Sequence, residues 1–198
     1  MESINLERLL LASQSPRRKE LLEQTGIKLQ VVHSDIEEEK ISIKNPEEYV
    51  ATLAFLKTEK VSEAYPEFWV IGADTIVVIQ DQILGKPASE DHAIEMLKLL
   101  SNEEHLVYTG FCIMNKNKHT TMKSTVETRV WFKALSDQEI KWYVKSKEPF
   151  DKAGAYGIQG LGAFLVKRII GSYSNVVGLP VCEVVEALMK LKIIEMRG

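Results

Sequence analysis

Short apolar runs and longer amphipathic stretches follow one another along the chain, a pattern typical of an α/β protein. "RLLLA" predicts a buried strand, and "SPRRKELLEQTG" predicts a helix with Ser15 as its cap, Pro16 in its first turn and Gly26 at its end. "KLQVVHS" predicts a second strand. The acidic, loop-like "DIEEEKISIK" follows, and then a helix that Asn45 caps and Pro46 opens.

The second half of the chain gives further strand and helix signals. "FWVIGADTIVVIQDQILGKP" predicts a buried strand, a tight turn around Gln80 to Gln82 and a short return strand, with a helix starting at Ser89. "HLVYTGFCIM" and "TVETRVWF" predict an antiparallel pair joined by a polar turn. "SDQE", which begins at Ser136, has the spacing of a capping box, and a last helix opens near Pro180.

Hairpins and helical crossovers both occur, so the pattern predicts a mixed sheet flanked by helices. No linker, repeat or low-complexity tract interrupts the 198 residues. We therefore expect one domain spanning 1–198.

The charge balance narrows the classes of partner. The formal net charge is -3 and the pI about 5.9, so no general basic field favours duplex nucleic acid. No apolar run approaches the ~20 residues of a membrane span, and the N-terminal stretch "MESINLER" has no secretory-signal pattern. These features predict a cytoplasmic protein with no membrane or duplex partner.

The cysteines and histidines offer no metal motif. Cys112 and Cys182 each lie in an apolar run, so we expect two buried thiols and neither a disulfide framework nor a zinc site. The four histidines lack HExxH-like spacing. A metal ion would therefore be held by oxygen ligands.

Two arginines stand in the first turn of the first predicted helix, where the helix dipole disfavours cations by about 0.3–1 kcal/mol each. A bound anion would make the two positive charges favourable at this position. The phosphate-binding cradle would consist of the free helix amides with Arg17, Arg18, Ser13 and Ser15. The alternative is that both arginines point outward and pair with acids of the same helix.

Asp74 is the strongest catalytic candidate, since it interrupts the apolar run "VIGADTIVV" and an isolated buried charge is costly. The alternative is a structural aspartate bound by backbone amides. Lys86 in "ILGKP" and Lys57 among apolar helix residues fit phosphate ligands or ordinary surface lysines. In the acidic run, one carboxylate such as Glu37 could join a Mg²⁺ or Mn²⁺ site, whereas the others are expected to face solvent.

The segment "DKAGAYGIQGLGAF" is the most glycine-dense of the chain. Its glycines allow close backbone approach, and the Gln159 amide can read a base edge through a paired donor and acceptor. The alternative is a loop that merely turns. It matches neither GxGxxG nor a Walker A sequence.

In chain order, "LASQSPRRKELL", "GADTIVV", "LGKP", "YTGF", "DKAGAYGIQG" and "GSYSNVVGLP" resemble the motifs of the Maf family of nucleotide pyrophosphatases. The resemblance runs from about Leu9 to Leu188. It implies a Maf/ITPase-like α/β fold, in which an elongated mixed β-sheet is flanked by helices and a cleft lies between two lobes. It also implies hydrolysis between the α and β phosphates of a nucleoside triphosphate, with a divalent cation, Mg²⁺ or Mn²⁺, and often a homodimer.

The resemblance also assigns roles to residues. The general base falls on Asp74, and the substrate-selecting positions fall on Arg17, Thr75 and Gln159. Further phosphate and metal contacts of the family map onto Ser13, Arg18, Glu37, Lys57 and Lys86. In addition we expect Ser15 to join the phosphate contacts and Asp74 to hold the metal ion together with Glu37. Gln14 departs from the glycine or asparagine often found there, although both flanking serines are retained.

The loop "AGAYGIQG" resembles the branch that acts on dTTP and UTP, because the branch that acts on 7-methyl-GTP has an acid where Gln159 stands. Modified pyrimidine triphosphates are a related substrate class, which a house-cleaning enzyme would remove. The alternative function is a nucleotide-binding regulator of cell division and septum formation without a major catalytic role. Such a binder would need the phosphate cradle but no carboxylate like Asp74.

Overall fold

The strands and helices follow the predicted α/β order. A computed structural model of the protein describes residues 2–36 and 43–197. The helices are α1 (Pro16–Glu23), α2 (Pro46–Ala64), α3 (Glu90–Leu100), α4 (Asp137–Lys145), α5 (Tyr173–Val177) and α6 (Val181–Lys190). The strands are β1 (Glu2–Asn5), β2 (Leu9–Ala12), β3 (Gln30–Val32), β4 (Trp69–Ile79), β5 (Gln82–Leu84), β6 (Glu104–Asn115), β7 (Thr120–Phe132), β8 (Val166–Ile170) and β9 (Ile194–Arg197). Short 3₁₀ helices cover Glu148–Asp151, Ala153–Ala155 and Gly160–Leu165.

The main sheet is mixed, as the pattern predicts. Its strand order is β3-β2-β4-β6-β7-β8, with β5 paired to β4. β2 runs parallel to β3 and β4, whereas β5 is antiparallel to β4 and β8 is antiparallel to β7. A second, two-stranded sheet pairs β1 with β9 antiparallel. The hydrophobic pattern did not predict this small sheet, which joins the two ends of the chain.

The chain divides into two compact units. Unit 1 comprises 1–74, 109–126 and 178–198, and unit 2 comprises 75–108 and 127–177. In unit 1, buried side chains of β2, α2 and β4 form an apolar cluster: Leu10, Ala12, Val61 and Val70. The larger core of unit 2 gathers α3, α4 and the strands around them, and it includes Leu97, Leu100, Ile140, Val144 and Leu165.

Local sequence signals set most helix starts. The side chain of Asn45 accepts a hydrogen bond from the Glu48 N–H at the start of α2, and Ser89 accepts one from His92 at α3. At α4, Ser136 and Glu139 form both hydrogen bonds of the predicted capping box. These confirmed caps satisfy amides that have no partner inside the helix.

Two local predictions need correction. Ser15 precedes α1, but its side chain makes no cap hydrogen bond. Cys112 is buried as expected, whereas Cys182 is exposed, because it lies on the outward face of α6 while Val184 and Leu188 face the core. An apolar run that forms a helix still has an outer face, so burial could not be inferred from the run alone.

The β4–β5 hairpin has the predicted tight turn. Gln80 and Asp81 both have positive φ, at 50° and 61°. A two-residue turn with positive φ at both positions matches the twist of the flanking strands. Gly26, at φ 81°, lies in the turn that follows α1.

Candidate active site

The N-terminus of α1 in unit 1 holds a small polar cluster directly after β2. The Ser13 hydroxyl is buried and accepts hydrogen bonds from the Ser15 N–H at 3.1 Å and from Arg18 Nη1 at 3.3 Å. Arg18 Nε also donates to the carbonyl oxygen of Gly178 at 2.7 Å. Arg17 is half-buried on the same turn, which contains no acidic residue.

These contacts bear on the two interpretations of the arginines. Arg18 turns back toward Ser13 and Gly178, whereas Glu23 of the same helix pairs with Lys19 at 3.6 Å. The cluster therefore keeps a guanidinium beside the helix N-terminus, where amides and dipole favour an anion. The Gly178 contact was not foreseen, because 160 residues separate it from Arg18.

Asp74 forms a buried ion pair with Lys57. Lys57 Nζ on α2 lies 2.6 Å from Asp74 Oδ1 on β4, and the two side chains are only 11% and 10% exposed. Each charge offsets part of the cost of removing the other from water. The apolar run thus correctly predicted a buried carboxylate, and the structure supplies the cation that the sequence alone left open.

Close packing of α2 on β4 makes this pair possible. A Cβ at Gly72 would lie 2.3 Å from Thr58 Oγ1 and 2.9 Å from the Ala54 carbonyl oxygen. Gly72 therefore lets the helix approach the strand two residues before Asp74. The Thr58 hydroxyl donates to that same Ala54 carbonyl at 2.6 Å, a hydrogen bond within α2 on the side of the helix that faces Gly72.

Strand register relates the two groups of side chains in unit 1. Ala12 of β2 is aligned with Gly72 of the parallel strand β4. Ser13 directly follows Ala12, and Asp74 comes two residues after Gly72. β2 ends at Ala12 whereas β4 continues to Ile79, so the chain leaves β2 beside the middle of β4. Ligands of open α/β sheets bind outside the carboxyl ends of strands such as β2. The structure therefore brings Ser13, Arg18, Lys57 and Asp74 into one region of unit 1.

Of the two predicted metal ligands, Asp74 is the one that the structure describes. No group of three or more His, Cys, Asp or Glu side chains within 2–36 and 43–197 is arranged to hold a metal ion. Glu37 lies outside the described residues. Mg²⁺ is commonly held by one or two protein carboxylates together with other oxygen ligands, so the Asp74 carboxylate is a group of the type that the predicted cation needs.

The remaining predicted site residues belong to unit 2. Thr75 directly follows Asp74 on β4 and is half-buried, and Lys86 is exposed after β5. Gln159 is half-buried ahead of the last 3₁₀ helix, and its side chain makes no cap hydrogen bond there.

Two residues that the sequence did not single out hold the backbone around Gln159. The Tyr143 hydroxyl accepts from the Gly157 N–H, and the Glu148 carboxylate accepts from the N–H groups of Leu161 and Gly162. The sequence does contain a signal for Glu148, because an acidic residue that shortly precedes a glycine-rich loop can accept hydrogen bonds from the backbone N–H groups of that loop. Such a signal is too common to have identified Glu148 without the structure.

Comparison with known proteins identifies the family. The sequence model of the family described as "Maf-like protein" matches residues 8–191. The chain belongs to the Maf family, as the motif resemblance predicts. The Maf-like match covers both units.

Several relatives carry the same description, dTTP/UTP pyrophosphatase. One from Geotalea uraniireducens (strain Rf4) is 49% identical over 187 residues, which cover 94% of this chain and 96% of the relative. One from Syntrophus aciditrophicus (strain SB) is 47% identical, covering 92% and 89%. One from Geobacillus sp. (strain WCH70) is 47% identical, covering 94% and 99%.

A solved structure supports the fold. The Ham1 protein of Staphylococcus aureus matches with a TM-score of 0.52 at 14% identity, covering 94% of this chain and all of that one. Together with the mixed sheet and its flanking helices, this likeness confirms the predicted α/β class. Among the described helices, none combines the length and the apolar character that a bilayer crossing requires.

Proposed function

We propose that this chain is a nucleoside triphosphate pyrophosphatase that hydrolyses dTTP and UTP to the nucleoside monophosphate and pyrophosphate. Its membership of the Maf family and the shared name of its relatives support this activity. The structural observation that carries the proposal is the buried Asp74–Lys57 pair in the middle of β4, two residues after the position where β4 is aligned with the end of β2 and the Ser13–Arg18 cluster begins. A carboxylate and several cationic donors are what hydrolysis of a phosphoanhydride requires.

In this proposal the α1 N-terminus and its basic side chains bind the triphosphate. Ser13, Ser15, Arg17 and Arg18 contribute donors there. The Lys57 ammonium adds a donor beside Asp74. Lys86 of unit 2 is proposed as a further phosphate ligand, as the family resemblance implies. Such charged donors stabilise the negative charge that the transferring phosphoryl group carries.

Asp74 acts on the attacking water. Its carboxylate orients a water molecule and accepts its proton while the water oxygen bonds to the α phosphorus. The bond between the α phosphorus and the bridging oxygen then breaks, and pyrophosphate leaves. A divalent cation, Mg²⁺ or Mn²⁺, bound at Asp74 and the substrate phosphates would supply positive charge and lower the pKa of a bound water. Glu37 remains a proposed second ligand.

Substrate selection is assigned to Arg17, Thr75 and Gln159. The amide of Gln159 offers one donor and one acceptor, which match the O4 and N3–H groups of uracil or thymine. A site built to pair with that edge leaves its own polar groups unpaired when another base enters. Modified pyrimidine triphosphates that keep this edge would therefore also be substrates, and removing them would be a house-cleaning role.

The proposal extends to location and assembly. We propose one functional domain over 1–198, a cytoplasmic location and a homodimer, with no duplex nucleic acid or membrane as partner. The family match over residues 8–191 supports the single domain. The absence of a general basic charge supports a small nucleotide rather than a polymer as ligand.

Substitution of Asp74 tests the catalytic assignment. Asp74→Asn keeps the size of the side chain and an oxygen that can accept from Lys57 Nζ, but it removes the base. We expect UTP turnover with Mg²⁺ or Mn²⁺ to fall by about 10²–10⁴-fold, measured by pyrophosphate release. Asp81→Asn is the matched control, because Asp81 is exposed in the β4–β5 turn at a positive φ that asparagine adopts readily.

The folded fraction of each variant is checked by circular dichroism and a melting curve. Near wild-type turnover in Asp74→Asn would show that the base lies elsewhere. Tight nucleotide binding without turnover in the unmodified protein would favour the regulator of cell division instead.

A further inference from the structure

The backbone on both sides of Gln159 is hydrogen-bonded to two side chains, those of Tyr143 and Glu148. On the N-terminal side, the Gly157 N–H donates to Tyr143 Oη at 3.1 Å. On the C-terminal side, the Leu161 N–H donates to Glu148 Oε2 at 2.9 Å and the Gly162 N–H donates to Oε1 at 3.0 Å. All of these residues lie in unit 2.

The two acceptors are themselves joined. Tyr143 Oη donates to Glu148 Oε1 at 3.0 Å. The hydroxyl therefore uses both its donor and its acceptor capacity, and the carboxylate accepts three hydrogen bonds in total. Burial, the largest effect, and the Glu148 charge both raise the pKa of Tyr143, opposed in part by the Gly157 N–H. The phenol thus stays protonated and keeps donating to Glu148.

The loop wraps tightly around this pair. A Cβ at Gly160 would lie 2.7 Å from Glu148 Oε2, and φ is +65° there. A Cβ at Gly162 would lie 2.6 Å from Tyr143 Oη. These close approaches explain two of the glycines in the segment, since any side chain would push the backbone away from its acceptors.

Tyr143 and the start of the loop are held in the buried part of unit 2. Tyr143 is fully buried on α4, the helix whose start carries the Ser136–Glu139 capping box. At the head of the loop, Tyr156 is buried and its hydroxyl lies 2.7 Å from His105 Nε2. The hydrogen-bonded loop is therefore fixed to the core on both sides, while Gln159 between the tied amides makes no cap hydrogen bond.

We propose that Tyr143 and Glu148 are positioning residues for nucleotide selection, because their hydrogen bonds set where the Gln159 amide is presented to the base. This inference rests on the proposed function of Gln159. It adds that recognition of the uracil or thymine edge depends on a carboxylate and a phenol that act only through the loop backbone. Displacements of about 1 Å in such a contact can cost on the order of a hundredfold in rate.

UTP and CTP provide the discriminating substrate pair. They share ribose and triphosphate and differ only at the edge of the base, where uracil has O4 and N3–H and cytosine has an amino group and an acceptor nitrogen. A purely structural role of the pair would lower kcat/KM for both nucleotides together. A positioning role lowers kcat/KM for UTP more than kcat/KM for CTP. The ratio of the two kcat/KM values, called the UTP/CTP ratio below, therefore falls.

The test compares Tyr143→Phe and Glu148→Gln with Ser136→Ala. Tyr143→Phe keeps the buried ring and removes one hydroxyl, whereas Glu148→Gln keeps one acceptor oxygen and places an amide NH₂ where the other stood. Ser136→Ala is the control for stability, because it removes the cap of the helix that carries Tyr143 without touching the loop. We expect the UTP/CTP ratio to fall roughly ten- to a hundredfold in the first two variants and to stay unchanged in the control.

Gln159→Ala tests whether Tyr143 and Glu148 act through the Gln159 side chain. If Tyr143 and Glu148 act through Gln159, then adding Glu148→Gln to Gln159→Ala lowers the ratio no further. Unchanged ratios in both folded single variants, with melting curves to show that they are folded, would overturn the inference while leaving the proposed function intact. A further drop in the double variant would overturn it too, since the pair would then act by another route. A wild-type protein that does not prefer UTP to CTP would contradict the proposed function itself, and the inference with it.

Discussion

At the scale of single residues, the ion pair between Lys57 and Asp74 combines opposite charges with burial in an apolar strand. Both side chains are about nine-tenths buried, and their charged atoms lie 2.6 Å apart. Buried pairs are rarely needed for stability, because apolar residues of similar volume often stabilise a protein as well or better. A buried pair in the middle of an otherwise apolar strand is therefore better explained by function than by folding.

The coupling within the pair can be measured. Lys57→Met leaves the Asp74 carboxylate without the cation that faces it, and we expect a loss of about 3 kcal/mol in the free energy of unfolding. Combined with Asp74→Asn, the loss should be smaller than the sum of the single losses. Urea denaturation of the two single variants and the double variant gives the coupling energy.

Lys98→Met provides a matched control for that cycle. Lys98 also pairs with an aspartate, Asp137 at 3.2 Å, but the two side chains are 54% and 70% exposed. An exposed pair of this kind contributes about 1 kcal/mol or less. Additivity of Lys57→Met and Asp74→Asn within about 0.5 kcal/mol would mean that the buried pair is not energetically coupled.

At the scale of helices and strands, the contact between α2 and β4 places the lysine beside the aspartate. Gly72 is the residue that permits it, since the Thr58 side chain and the Ala54 carbonyl occupy the space that a Cβ would need. An added methyl group would force the helix away from the strand or displace the Thr58 hydroxyl. Either movement disturbs the packing of α2 on β4, because protein interiors are close-packed.

Gly72→Ala should therefore destabilise the protein by roughly 1–3 kcal/mol, read from its urea or thermal midpoint. Gly85→Ala is the same chemical change at a position where a Cβ would meet nothing within 4 Å. We expect the control to be neutral or slightly stabilising, because alanine reduces the freedom of the unfolded chain. Equal midpoints for the two variants would contradict the proposed close packing.

The elements also show what a sequence can and cannot predict. Asn45, Ser89 and the "SDQE" box gave correct helix starts, because a cap needs only residues within one turn. The hairpin at Gln80 was predicted for the same reason. Pairing of β1 with β9 was missed, since it joins residues from opposite ends of the chain and neither strand has a strong pattern of its own.

At the scale of the whole molecule, the chain crosses between the two units at 74, 108, 126 and 177, so neither unit is a continuous stretch of sequence. The apolar run predicted that Asp74 is buried, but its partner Lys57 came from another element. The family motifs marked Gln159, but the Tyr143–Glu148 support of its loop depends on side chains brought together by folding. The patterns of a single sequence could not predict these contacts, because the residues that make them lie on different elements.

The proposed reaction of this member of the Maf family is hydrolysis of pyrimidine nucleoside triphosphates at the bond between the α and β phosphates. The most direct measurement is kcat/KM for UTP, dTTP, CTP, ATP and GTP with a divalent cation, with the products separated by anion-exchange chromatography. We expect UTP and dTTP to rank first, each giving its monophosphate and pyrophosphate in equal amounts. Release of a diphosphate and orthophosphate, or a preference for purine nucleotides, would contradict it.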